Sequence, residues 1–108
     1  MSDIFVMLRN QDNIALTSID GIAFVTLLKQ DEQVVAEEIV ELIYADAGFD
    51  DLPLGKYTVA VQHKSVEPSE VKYEVTIAAE DQVVFLTFMY LELERVFLKV
   101  KASTEMRL

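Results

Sequence analysis

Residues 70–77 (Glu-Val-Lys-Tyr-Glu-Val-Thr-Ile) alternate strictly between polar and apolar side chains. A β-strand turns successive side chains to opposite faces, so a segment of this kind buries one face as a strand and not as a helix. Val71, Tyr73, Val75 and Ile77 form the expected inner face, with Glu70, Lys72, Glu74 and Thr76 facing water. Residues 56–63 repeat the pattern, with Tyr57, Val59 and Val61 inward and Thr58, Ala60 and Gln62 outward. Residues 4–9 and 22–29 are further predicted strands, and a last one resumes at Val96, Leu98 and Val100 after a slip at Glu94-Arg95 that marks a bulge or a tight turn.

Turn residues separate these runs. Gln11-Asp12-Asn13 and Asp20-Gly21 punctuate the first part of the chain. Leu52-Pro53-Leu54-Gly55 reads as a tight turn, with Pro53 pre-setting φ and Gly55 where type I turns favour glycine. Residues 64–69 connect two strands through Pro68, and residues 79–82 read as a hairpin loop. Residues 33–45 are ambiguous. Val35, Ile39, Leu42 and Ile43 have helical spacing, between a capping Asp31 and a terminating Gly48. At period two, Val34, Ala36, Val40, Leu42 and Tyr44 share a face, with Glu38 as the exception.

The stretch Phe49-Asp50-Asp51-Leu52-Pro53-Leu54-Gly55-Lys56-Tyr57-Thr58-Val59 resembles the F-x-x-L-P-x-G-x-Y-x-V signature of transthyretin-like domains, which include carboxypeptidase regulatory-like and Cna-B-like modules. Residues 21–27, 34–36 and 66–71 are similar to neighbouring strands of that family, so the likeness spans about residues 4–90, with an extension over 91–108. The resemblance implies one all-β domain over 1–108. Its fold is expected to be an Ig-like Greek-key sandwich of about seven strands, with an additional C-terminal strand. It also implies that residues 33–45 form a strand and a long loop, and that Tyr57 points inward at a corner.

The departures from the family bear on activity. Transthyretin-related hydrolases use several His residues, an Arg and a terminal Tyr-Arg-Gly-Ser, whereas this chain has one His and ends Thr-Glu-Met-Arg-Leu. Isopeptide-forming members need a late Asn, and Asn10 and Asn13 are the only Asn residues. A non-enzymatic interaction or structural module is therefore expected. Fold alone does not decide function.

Other site chemistries find little support. The chain has no Cys, which removes thiolate nucleophiles, disulfides and Cys-based metal sites. His63 ends a strand in phase with Val59 and Val61 and reads as a rim histidine beside Lys64 rather than a base or ligand. With three glycines there is no phosphate-cradling loop. No cofactor is expected.

Charge limits the partners. The formal net charge is −10, which disfavours nucleic acid and anionic membrane surfaces. The acids are concentrated. Residues 30–55 hold Asp31, Glu32, Glu37, Glu38, Glu41, Asp46, Asp50 and Asp51 without a Lys or Arg, whereas residues 95–108 are net basic. Glu37, Glu38, Glu41, Asp46, Asp50 and Asp51 are the expected electrostatic face. A small ligand or Ca²⁺ on acidic loops within 31–51 is the alternative function, although the spacing is not that of a calcium-binding loop. The start of the chain does not read as a secretory signal and no apolar run approaches the roughly 20 residues of a membrane span, so a cytoplasmic protein is expected.

One strand breaks the alternation. Residues 83–91 (Val-Val-Phe-Leu-Thr-Phe-Met-Tyr-Leu) are apolar on both faces. If Val84, Leu86 and Phe88 enter the core, Val83, Phe85, Thr87 and Met89 face outward. Monomers rarely leave such patches bare. Either residues 92–101 fold back over them or another chain does, as a homodimer or with a different protein.

Overall fold

A computed structural model describes residues 2–16, 23–40 and 45–106, and its regular elements are all strands. They are β1 (Ser2–Asn10), β2 (Ala23–Lys29), β3 (Val34–Ile39), β4 (Asp46–Leu52), β5 (Gly55–His63), β6 (Glu70–Ile77), β7 (Gln82–Leu91) and β8 (Val96–Met106). They form two four-stranded sheets, ordered β4-β1-β7-β8 and β3-β2-β5-β6. The chain is an all-β Greek-key sandwich, with no helix long and apolar enough to cross a membrane among the described residues. The predicted turn at Asp20-Gly21, together with Ile22, Glu41, Leu42, Ile43, Tyr44 and Arg107, lies outside the described residues.

The core lies between the sheets, as the alternation requires. Ile4, Val6 and Leu8 of β1 and Val84, Leu86, Phe88 and Tyr90 of β7 are buried from the first sheet. Val25 and Leu27 of β2, Val59 and Val61 of β5 and Ile77 of β6 meet them from the second. Phe97 of β8 closes one side, edge-on to Tyr90 at 5.6 Å and tilted against Phe88 at 6.4 Å between ring centroids. Burial pushes the Tyr90 phenol up to about 12, so it stays neutral.

β3 makes residues 34–39 of the ambiguous segment a strand. It pairs antiparallel with β2 and places Ala36 opposite Leu27. Val35 and Ile39 of the helical stripe are exposed, so that spacing is not a buried face. Val40 is buried, and its N–H donates to the carbonyl of Ala23.

Two segments differ from expectation. Residues 78–81 do not close a hairpin, because β6 and β7 belong to opposite sheets and the chain crosses between them. The Gln82 carboxamide organises that arch. Its oxygen accepts from the N–H groups of Ala78 and Ala79 (3.0 and 3.2 Å) and its nitrogen donates to the carbonyl of Thr76. Ser2 locks the arch to β1, with its hydroxyl accepting from Gln82 N–H and donating to the carbonyl of Ala79. Glu94-Arg95 lies in a turn, one of the two expected forms, and a bulge falls earlier, between Met89 and Tyr90. Residues 46–51, expected in a loop, form β4 beside β1.

The Leu-Pro-x-Gly-x-Tyr corner is built as expected, for a stronger reason than turn preference. Gly55 has φ of 151°, a region that side-chain-bearing residues rarely enter. Tyr57 is 4% exposed, and its hydroxyl donates to the carbonyl of Pro53 at 2.7 Å. We expect Gly55→Ala to lower unfolding free energy by about 1–3 kcal/mol from backbone strain alone, since a Cβ there meets nothing closer than the Tyr57 ring at 4.0 Å. Tyr57→Phe should cost about 0.5–1.5 kcal/mol. Urea denaturation of both variants measures these losses, and an unchanged midpoint for Gly55→Ala would show that the corner relaxes freely.

Candidate functional site

The outer face of the first sheet is the surface that the double-sided strand creates. Antiparallel and parallel pairing both set register partners on the same face, so the neighbours of β7 can be read in rows. Asp3, Val83 and Glu105 form the first row. Phe5, Phe85 and Ser103 form the second, with Gly48 of β4 beside Phe5. Met7, Thr87 and Lys101 form the third, with Asp46 beside Met7. Arg9, Met89 and Lys99 form the fourth.

The structure distributes the four expected interface residues unevenly. Val83 and Met89 are 7% and 3% exposed within one chain, while Phe85 and Thr87 are half-buried. Central position explains this. β7 lies between β1 and β8, so each outward side chain has a neighbour on both sides. Met89 stands between Arg9 and Lys99, whose long aliphatic stems suit an apolar neighbour while their charges reach water. Residues 92–101 do not fold over the face, because 92–95 turn and β8 runs alongside β7.

An aromatic pair marks the middle. Phe5 and Phe85 stack with centroids 5.8 Å apart and planes inclined by 18°. Phe5 is 36% exposed and was not singled out by sequence, although its place on the outer side of the alternating first strand is the signal that finds it. Gly48 permits its pose, since a Cβ there would lie 3.2 Å from two ring carbons of Phe5. Phe5 and Gly48, with Ile39, Glu38, Ala47 and Asp46, also line a shallow cleft of 280 Å³ at the β3–β4 side.

The expected acidic face is drawn out along two edge strands rather than gathered in loops. Glu37 and Glu38 are on exposed β3, Asp46, Asp50 and Asp51 are on β4, and Glu41 lies outside the described residues. Each acid has its own surroundings. Glu37 accepts from the Thr26 hydroxyl at 3.0 Å. Asp50 and Asp51 occupy the irregularity where β4 passes Asp3, and Asp51, at φ of 57°, donates its N–H to the buried Asp3 carboxylate at 3.1 Å. Among the described residues no three His, Asp or Glu side chains converge as metal ligands.

His63 is buried at the end of β5, with Lys64, Ser69 and Glu70 along a neighbouring cleft of 290 Å³. Its Nδ1 accepts the Ser65 N–H at 3.1 Å, and its backbone N–H donates to the carbonyl of Ser69. Burial, and then the positive charge of Arg95, lowers its pKa below the ordinary histidine value. This geometry holds a loop. Residues 64–69 reach across to β8, where Glu67 pairs with the backbone of Arg95 and Phe97.

The lowered His63 pKa fixes the sign of a pH dependence. The folded state favours neutral imidazole, so its contribution is intact above the unfolded value near 6.5 and is lost as pH falls from there through the lowered folded value. Thermal melts from pH 7.5 to 5 should show a loss of stability that is smaller in His63→Gln. Parallel curves for the two proteins would remove His63 as its source. In comparisons with family models, curated proteins and solved structures, this chain matches none.

Proposed function

We propose that this chain is a non-enzymatic protein-interaction module of the transthyretin-like, carboxypeptidase regulatory-like kind, which docks through the outer face of the β4-β1-β7-β8 sheet. The single observation that carries the reading is the Phe5–Phe85 stack, a half-covered aromatic pair at the centre of a solvent-facing sheet. Such a face, apolar in its centre and charged around it, has the layout of a docking surface, whose core is depleted of charge and whose rim is polar. The Leu52-Pro53-Leu54-Gly55-Lys56-Tyr57 corner supports the family assignment, because it combines the motif with the glycine conformation and the tyrosine hydrogen bond that make the motif useful.

The chemistry of the face favours binding over turnover. Its centre is aromatic, aliphatic and hydroxyl-bearing, and its charged groups stand at the ends of the rows. A flat surface of this kind offers area to a macromolecule rather than enclosure to a small substrate.

Capture from native lysate with the intact chain as bait, followed by mass determination, tests the reading. Wild type should retain a companion in stoichiometric amount, a second copy included. Phe85→Asp should lose it by at least about tenfold, since truncation of a central aromatic anchor commonly costs 2 kcal/mol or more. Phe85→Thr keeps β propensity and serves as the control for folding, checked by circular dichroism. Equal retention by folded wild type and both variants would sink the proposal.

A further inference from the structure

We infer that the partner of this face is a second copy of the chain, packed face to face about a two-fold axis that runs across the strands between the Phe85 and Thr87 rows. The inference rests on the docking reading above and adds the occupant and its orientation. It comes from the order of charge along the strands. The first row ends in acids, Asp3 and Glu105, and the fourth row ends in bases, Arg9 and Lys99. Residues two apart on a strand are separated by about 6.7 Å, so the acidic and basic rows lie roughly 20 Å apart at opposite ends of the face.

A two-fold axis across the strands exchanges these ends. The acidic row of one copy then lies over the basic row of the other, bringing exposed Glu105 toward the second copy's Lys99, while buried Asp3 stays engaged with Asp51 of its own chain. The two central rows exchange as well, so Phe5 meets Met7 and Phe85 meets Thr87. The first and fourth rows face their opposites, and the aromatic pair is covered by apolar or hydroxyl-bearing groups. The other face-to-face arrangement, with its axis along the strands, lays β8 over β4. It sets Lys101 against Asp46 but also Glu105 against the Asp50-Asp51 end of β4, where like charges meet. Juxtaposed like charges reject a pairing more strongly than rim attractions promote one.

Area gives the expected strength. Four strands about 4.8 Å apart and about eight residues long present roughly 500 Å² per copy. A pair therefore buries on the order of 1,000 Å², at the lower limit for a specific complex. Association is then weak enough for the two symmetry-related Glu105–Lys99 contacts to decide it.

Charge reversal on two exposed positions provides the test. The intact chain should show concentration-dependent dimerisation by sedimentation at an ionic strength of about 0.15 M, which screens the long-range repulsion of two chains of net charge −10. Lys99→Glu and Glu105→Lys should each weaken the dimer by about tenfold, because each reversal places like charges at two contacts. Glu105→Lys is the sharper variant. It lowers the repulsive net charge of the chain, so a weaker dimer can come only from the local contact. An equimolar mixture of the two variants should dimerise again as a heterodimer, since both contacts are then between opposite charges. Failure of the mixture to associate, or rescue by Lys101→Glu combined with Asp46→Lys instead, would overturn the orientation. A chain monomeric at all concentrations would overturn the second copy as partner. In that case loss of a captured companion in Phe85→Asp would still support the docking reading, and its retention would end both.

Discussion

The parallel pairing of β1 with β7 holds the rest of the molecule in place. The two strands run side by side from Asp3–Val83 to Asn10–Tyr90 at the centre of the first sheet. Each gives one face to the core, and each is flanked by an edge strand, β4 beside β1 and β8 beside β7. A parallel pair cannot be joined by a tight turn, so everything between these strands must leave the sheet and return. The chain does so by building the whole second sheet and β4 in the interval. The same placement accounts for the composition of β7. A central strand loses solvent on both sides in the plane of the sheet, so even its outward Val83 and Met89 are covered by neighbours while its inward residues meet the opposite sheet.

Buried polar side chains then fix where each connection departs. Asn10 is the clearest case. Its carboxamide oxygen accepts from Asp12 and Ile14, shaping the turn after β1, while its nitrogen donates to Glu92 in the turn after β7. Ser2 and Gln82 do the same at the other end of the pair, tying the start of β1 to the arch that enters β7. The β1–β7 pair is thus clamped at both ends by side chains of its own terminal residues. Among the described residues, no buried side-chain nitrogen or oxygen lacks a hydrogen-bond partner. An unpaired buried polar group costs about 1–3 kcal/mol, which makes these clamps specific to one register.

The sequence showed the strands whose burial is one-sided. β5 and β6 read directly because Val59, Val61, Val75 and Ile77 enter the core while Thr58, Glu74 and Thr76 do not. β4 was illegible for a physical reason. Asp-Ala-Gly-Phe-Asp-Asp-Leu has little alternation and little β propensity, and it is a strand because β1 offers it a ladder and Phe49 a place in the core. The arch at 78–81 has the turn residues of a hairpin, and only the sheet to which the next strand belongs tells the two apart. The double-sided β7 pointed to the outer face of the first sheet but did not disclose the aromatic pair at its centre. Phe5 joins that surface through pairing with Phe85, which links residues eighty positions apart in the chain.

Edge strands add a second reason for the acidity of the molecule. β3 and β4 are the outer strands on one side of the sandwich, and they carry Glu37, Glu38, Asp46, Asp50 and Asp51. An unpaired strand edge is a template for another chain, and charge is one of the devices that keep it unpaired. β6, an edge on the other side, has Glu70, Lys72 and Glu74 outward, with Gln62 and Lys72 reaching Glu70. The acids on β3 and β4 set like charges against any like edge that approaches them, which disfavours pairing between copies of those edges. The opposite edge of the first sheet, β8, carries Lys99 and Lys101, so the charge of the molecule is divided between its two sides and not spread evenly.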